Sequence, residues 1–506
     1  MNLAHHLEQS AFFFPDHPAV HQDGLEMTYA RLNDSANRIA TGLIKMGIRP
    51  GDQVGLYAPN SAEWIIFYFG VLKAGAIAVT LSANLIGDEL VNLVMHARPR
   101  FVFTIPTKLS ELERLKNPEG IEMIICPGGD LDLQSLITMG SESFKAVERD
   151  TADAAAILYT GGTTGIPKGV MLTHEGIGFS SHSVAVFERS TETDRALCFM
   201  PFNHVFGQIH IMNATIHSAG CLELLPSFDL ERVLALLESG RVTKFFAVPT
   251  IYIRLLALSD LEKKLGNLRY CFSAAASLAE EVVKQWKERT GITISESYGM
   301  TEAMPVTYNH YYRHVVGSVG QPAFGVEVQI RDPSGNRLNI GQEGEICVRG
   351  RVVMKGYLNN PEETRSAFWE GGWYRSGDVG RFDSDNYLYI VDRVKDIIIT
   401  GGENVFPREV EEVLYTRSEV QECAVIGLPD QEWGERVIAF IIPKPGCLVV
   451  PEELKNFLKS RLSVFKVPKA FVTLNEFPKS PTGKILKREL RKQNGLKEFA
   501  TEVRPK

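Results

Sequence analysis

Residues 154–169 read AAAILYTGGTTGIPKG, an apolar run from Ala154 to Tyr159 that breaks at Thr160 into a loop ending at Lys168 and Gly169. An apolar run of this length, bounded by turn residues, predicts a buried strand. Three glycines and three threonines ahead of the lysine give a loop whose backbone amides and hydroxyls can surround phosphate oxygens. It is not a Walker loop, because Lys168 is followed by Gly169 rather than by Ser or Thr. Taken alone, the stretch reads equally as a glycine-rich hairpin.

Outward from this loop, much of the first 440 residues alternates short β-rich runs, such as Phe101 to Thr104 and Phe245 to Val248, with helical patterns. That texture predicts α/β layers with parallel strands. Between Val326 and Ile390 close-spaced turns and short strands predict a β-rich subdomain. The charged segment Asp392, Arg393, Lys395, Asp396 then separates strand Tyr387 to Val391 from Ile397 to Thr400, and a second lobe is expected to begin there. The division is therefore 1–391, a connector at 392–396, and 397–506. A chain of 506 residues exceeds what one core usually supports, so two or more lobes agree with its length.

With 44% hydrophobic and 23% charged residues the composition is that of a soluble protein. The longest apolar stretch, Trp64 to Leu72, is too short to cross a bilayer. The run Ala11 to Phe14 ends at Pro15 without a basic leader, so no signal peptide is expected. Seven cysteines lie far apart without the close pairs of a zinc site and are read as reduced thiols in a cytoplasm. A net charge of -7 argues against nucleic-acid partners. Yet Pro451 to Lys506 holds 14 Lys and Arg against 6 Asp and Glu, net +8, which leaves -15 for the rest. Such a basic segment is either a solvated face or a surface for an anionic cofactor.

Further motifs follow in order: YGMTE at Tyr298–Glu302, YRSGD at Tyr374–Asp378, DRVKD at Asp392–Asp396, GGENVFP at Gly401–Pro407 and PKSPTGKI at Pro478–Ile485. With the 160–169 loop, this set closely resembles the adenylate-forming superfamily of acyl-CoA synthetases, peptide-synthetase adenylation domains and beetle luciferases, over nearly the whole chain. The resemblance implies a large N-terminal domain of layered α/β subdomains plus a β-rich subdomain, with a small mobile α+β C-terminal domain. It implies an AMP-forming carboxylic acid–CoA ligase using ATP, Mg²⁺ and coenzyme A, as a monomer or homodimer.

The resemblance also implies residue roles. Thr160, Gly161, Gly162, Thr163, Thr164, Gly165 and Lys168 would hold phosphates, and Glu302 would bind Mg²⁺. Thr301 would contact the α-phosphate, with Ala275, Tyr298 and Gly299 at the nucleotide. Asp378 would accept the ribose hydroxyls, and Arg393 would reach ribose or phosphate. Lys484 would be the adenylation catalyst, bridging the acid and AMP. Charge neutralisation is what attack of a carboxylate on an anionic phosphate demands. His204 in PFNHVFG, with Gly207, Ala274, Ala303 and Met304, would border the acyl site. Read alone, His204 is a core or turn histidine and Met304 is core packing. Gly401, Gly402, Trp433, Lys466 and Lys469 would receive coenzyme A, and Lys395 would be the hinge.

Two departures from the family bear on the substrate. Ser273-Ala274-Ala275-Ala276-Ser277-Leu278 stands where many relatives have SGGAPL, and Met304 stands where a glycine is common. The added side chains imply a shorter pocket, suited to an aryl or short-to-medium-chain acid. A long-chain acid, or loading of a carrier protein instead of coenzyme A, is the alternative.

Overall fold

A computed structural model of the chain describes residues 1–116, 120–160, 167–393, 396–430, 432–480 and 483–492. Two seven-stranded sheets form the bulk of the N-terminal part. In the first, Ile294–Glu296, Tyr270–Ser273, Lys244–Ala247, Arg195–Cys198, Cys221–Leu224 and Pro18–Gln22 run parallel, and Leu25–Thr28 closes one edge antiparallel. In the second, Met123–Ile125, Phe101–Thr104, Gln53–Tyr57, Ile77–Leu81 and Ala154–Thr160 are parallel. Antiparallel Lys168–Thr173 and Gly356–Tyr357 complete it. Strands such as Phe101–Thr104 and Lys244–Ala247 are buried at every residue. That is why they read as continuous apolar runs rather than alternating ones.

The helix Ala62–Lys73 links the two layers. Ser61 caps it by accepting from the Trp64 amide, and every residue from Trp64 to Lys73 is buried. A helix apolar on all sides needs partners on all sides. Trp64 packs on Phe202 at 4.9 Å between ring centres and Phe67 on Phe103 at 4.8 Å. Its Gly70 lets the helix Tyr29–Lys45 approach, since a Cβ there would lie 2.3 Å from Ile39 Cγ2. The longest apolar stretch is thus interior packing. Among the described residues no helix is long and apolar enough to cross a membrane. The cysteines at 126, 198, 221, 271, 347 and 423 are buried free thiols, and Cys447 is exposed.

A five-stranded antiparallel sheet built from Val326–Arg331, Gly344–Gly350, Phe368–Trp369, Trp373–Phe382 and Leu388–Arg393 is the β-rich part, with its own core around Ile346, Val348 and Leu388. Its last strand continues through Asp392 and Arg393. Beyond it, Ile398–Thr400, Glu403–Val405, Val420–Asp430, Gly434–Pro443 and Ala470–Thr473 form a separate sheet covered by the helices Pro407–Tyr415 and Pro451–Lys459. The cores of this lobe are formed by its own residues, 398–490.

Candidate active site

The parallel strands of the first sheet deliver their carboxyl ends to one place, the usual position for a ligand in an α/β sheet. Strand Tyr270–Ser273 leads into Ala274 and Ala275, and strand Ile294–Glu296 into Ser297 to Glu302. Strand Arg195–Cys198 leads toward His204. A cavity of about 610 Å³ opens there, and the C-terminal lobe lends it Lys484. Thr160, Lys168, His204, Ala274, Ala275, Gly299, Thr301, Glu302, Met304 and Arg393 all line it.

The strands Ala154–Thr160 and Lys168–Thr173 pair antiparallel, with Thr160 opposite Lys168. The hairpin and the phosphate-loop readings of this stretch are therefore compatible, because both ends of the hairpin border the cavity. Gly161, Gly162, Thr163, Thr164 and Gly165 lie outside the described residues, as does Lys395. Lys168 forms an ion pair with Glu363 and lies over the Tyr357 ring at 5.0 Å. The Tyr357 hydroxyl donates to Glu302 Oε1 at 3.1 Å. Burial raises the Glu302 carboxyl above its ordinary range, opposed by the Tyr357 bond and by the charges of Arg393 and Lys168. A buried carboxylate so placed fits a hard divalent cation, which takes oxygen ligands and relieves the desolvation.

Tyr298 and Asp378 stand just behind the lining residues. The Tyr298 hydroxyl donates to Asp378 Oδ2 at 2.6 Å, and Arg393 Nε donates to Oδ1 at 2.9 Å. The pairing of strand Trp373–Phe382 with Leu388–Arg393 sets Asp378 directly opposite Arg393. Lys484 arrives on a tight turn in which the Gly483 amide donates to Ser480 O and the Ser480 amide to Lys484 O, each at 2.8 Å. Gly483 sits at φ +82°. A Cβ there would lie 2.9 Å from Val248 Cγ2 of the N-terminal part, so the turn is seated closely against it.

His204 also lines the cavity. Its Nδ1 accepts from the Phe206 amide at 3.2 Å, and burial, with the charge of Lys484, lowers its pKa to about 4. The imidazole is therefore neutral at physiological pH. The chain continues as a π-helix, Phe206–Asn213, which brings Phe206 and His210 into the cavity wall. Short π-helical stretches recur at functional sites. Gly207 is buried in this segment rather than lining the cavity, and a Cβ on it would lie 2.4 Å from Pro201 O.

Ala303, expected at the acyl site, is not among the residues lining this cavity: its amide donates to Met300 O at 3.1 Å, it bridges Val353, and it is packed in the β-rich core. The tight turn at Met300–Ala303 turns it away while Met304 returns to the cavity. The residues assigned to coenzyme A do not line the cavity either. Gly401 donates to Trp433 O at 2.7 Å, Lys469 lies over the half-exposed Trp433 ring at 5.3 Å, and Lys466 pairs with Glu409 at 2.7 Å. Gly401 and Gly402 take φ values of +60° and +83°. Sequence reading missed Tyr357, Glu363, Phe272 and His210 at the cavity, since none stands in a motif, and passed over Phe206 within PFNHVFG.

A cavity lined by the cations Lys168, Arg393 and Lys484 and by the aromatic rings of Phe206, Phe272 and Tyr357 suits an enzyme that holds a polyanion beside an apolar acid, as nucleotide-dependent activation of a carboxylate requires. The sequence profile of the AMP-binding enzyme matches residues 7–358, and that of the AMP-binding enzyme C-terminal domain matches residues 409–484. The chain is 35% identical to a long-chain-fatty-acid–CoA ligase of Bacillus subtilis (strain 168), over 96% of this chain and 93% of that protein. It is 35% identical to a feruloyl-CoA synthase of Amycolatopsis sp, over 95% and 96%. Among solved structures, ATP-bound MatB from Rhodopseudomonas palustris superposes with TM-score 0.92 at 32% identity, covering 99% of this chain and 100% of that one. An anthranilate CoA ligase holding anthranoyl-AMP gives 0.93 at 29% identity, covering 99% and 98%. The chain belongs to the AMP-binding enzyme family, and within it to the acyl-CoA synthetases.

Proposed function

We propose that the chain joins an aryl or short-to-medium-chain carboxylic acid to coenzyme A in two steps at this one cavity. The carboxylate attacks the α-phosphorus of ATP and displaces pyrophosphate. The coenzyme A thiol then attacks the acyl carbon and displaces AMP. The observation that carries the reading is the convergence of Lys484, from the C-terminal lobe, with Lys168, Thr301, Glu302 and His204 in one cavity.

In the first step the 160–168 hairpin and Lys168 bind the β- and γ-phosphates, Thr301 contacts the α-phosphate, and Lys484 offsets the charge that accumulates between acid and nucleotide. Asp378, held by Tyr298 and Arg393, receives the ribose hydroxyls beside Gly299 and Ala275. Glu302 would hold Mg²⁺, which supplies charge neutralisation at the phosphates. The neutral His204 marks the acyl entrance, and Ala274 and Met304 with the aromatic wall limit acid size. The lobe 397–506 acts as the mobile lid with its hinge at 392–396. It turns to bring Gly401, Gly402, Trp433, Lys466 and Lys469 to coenzyme A in the second step.

The test is AMP and pyrophosphate formation over acetate, linear acids of increasing length, benzoates, cinnamates and dicarboxylates, each with and without coenzyme A. The reading requires acid-dependent pyrophosphate release and coenzyme A-dependent thioester, with an optimum at aryl or short-to-medium acids. An optimum at long chains would replace the substrate assignment, and thioester absent under all conditions would overturn the reaction.

A further inference from the structure

The acyl wall has a polar member with a charged network behind it. His210 is buried, lines the cavity, and lies on Phe272 at 4.1 Å between ring centres. Its Nε2 meets Glu188 Oε1 at 2.8 Å. Glu188 is itself buried and is held by the Tyr308 hydroxyl at 2.9 Å and by Lys244 Nζ at 3.2 Å. Lys244 also faces Asp194 at 3.6 Å, and Asp194 takes the Arg269 guanidinium on both oxygens.

The charges of this network close without the imidazole. Glu188 and Asp194 are two anions, and Lys244 and Arg269 are two cations. The tautomer that donates Nε2–H to Glu188 carries its lone pair on Nδ1. Among the described residues Nδ1 has no hydrogen-bond partner, and it retains accessible surface. A wholly apolar acid would bury that acceptor unpaired, at a cost that a donor on the ligand removes.

We infer that His210 is a specificity-determining residue that accepts a hydrogen bond from the acid, so that the substrate carries a hydroxyl or amino group away from its carboxylate. The inference rests on the ligase reading above and narrows its substrate class. A site that pairs a ligand donor discriminates strongly against the analogue lacking it.

The experiment compares kcat/KM for pyrophosphate release with matched acids: benzoate against its three monohydroxy and three monoamino derivatives, cinnamate against hydroxycinnamates, and hexanoate against 6-hydroxyhexanoate. Wild type, His210→Phe and His210→Gln are measured side by side. Wild type should favour at least one donor-bearing acid over its parent by about tenfold or more. His210→Phe should erase that preference while still activating the parent, and His210→Gln, which keeps an acceptor, should retain part of it. Should His210→Phe fail to fold by thermal melting, the wild-type preference and the His210→Gln profile decide. Parents favoured throughout by wild type, or an undiminished donor preference in His210→Phe, overturn the inference while the ligase reading stands. Acid-dependent pyrophosphate release absent for every acid in wild type removes both.

Discussion

Ala275 occupies φ +71°, in the left-handed region, at a position where the SGGAPL pattern has glycine. An L-residue there carries a steric cost of about 1–2 kcal/mol, part of which glycine returns through the greater entropy of its unfolded chain. Ala275→Gly should therefore raise stability by up to about 1 kcal/mol, read as the midpoint of a denaturant titration. A lower midpoint would mean that packing of the Ala275 methyl outweighs the strain. Lys484 is the other residue whose geometry makes a sharp prediction. It lies in the cavity with the Ser480–Lys484 turn resting on Val248, and on the role proposed above its charge is needed only when acid and phosphate meet. Lys484→Ala should slow acyl-AMP formation by at least about a hundredfold while leaving thioester formation from presynthesised acyl-AMP within about threefold. Single-turnover measurement of each half-reaction checks this, and equal losses would remove Lys484 from the first step.

At the scale of elements, the strand and hairpin at 154–173 were legible because the chemistry and the turn lie in consecutive residues. Strand Leu388–Arg393 was read nearly in place, as was the β-rich texture after Val326. What stayed hidden depends on pairing between distant segments. Tyr357 reaches Glu302 because strand Gly356–Tyr357 pairs with Val170 and Met171, and Glu188 supports His210 from 22 residues away. The π-helix also shifts the phase of its side chains, so no helical periodicity could place His210, and the tight turn at Met300–Ala303 sets Ala303 in the β-rich core, which spacing along the chain does not show. A second histidine group joins three helices. His6 of His5–Phe13 lies 4.4 Å from the His217 ring, and His217 Nε2 lies 3.1 Å from His182 Nδ1. Burial first, then the neighbouring histidines, lowers His6 to about 3 and His217 to about 4. An unfolded imidazole takes its proton near pH 6.5, so between that value and about 4 the unfolded chain holds more protons than the folded one. Stability is therefore full above about pH 6.5 and falls as the pH drops toward 4, by on the order of 1–2 kcal/mol per group at pH 5. Melting temperatures across pH 7 to 4.5 should fall less steeply for His217→Asn than for wild type, and parallel curves would contradict this.

For the whole molecule, the decisive contacts are those that fix one lobe on the other. The helix Glu280–Thr290 begins at Ala279, whose side chain cannot cap it. Instead Glu412, from the C-terminal lobe, accepts from the Glu280 amide at 3.3 Å. A carboxylate there satisfies an otherwise open amide and complements the positive end of the helix. Glu412 is in turn paired with Arg408 at 3.5 Å, and Arg408 crosses back to the β-rich sheet, donating from Nη1 to Ile390 O at 2.9 Å and from its amide to Asp392 Oδ2 at 3.0 Å. Arg408 thus ties the first helix of the lobe to the strand that leads into the connector, while Lys484 lies in the cavity. These bonds belong to this orientation, and a lobe that turns for the second step must release them. Arg408→Ala removes the charged donor to Ile390 O and leaves the half-buried Glu412 without its cation, a loss of about 1.5–3 kcal/mol from this orientation alone. On the role proposed for Lys484, acyl-AMP formation should slow about tenfold or more. Thioester formation from presynthesised acyl-AMP should hold or accelerate, because the released orientation becomes easier to reach. Equal slowing of both half-reactions would show that Arg408 supports the fold of the lobe rather than its orientation.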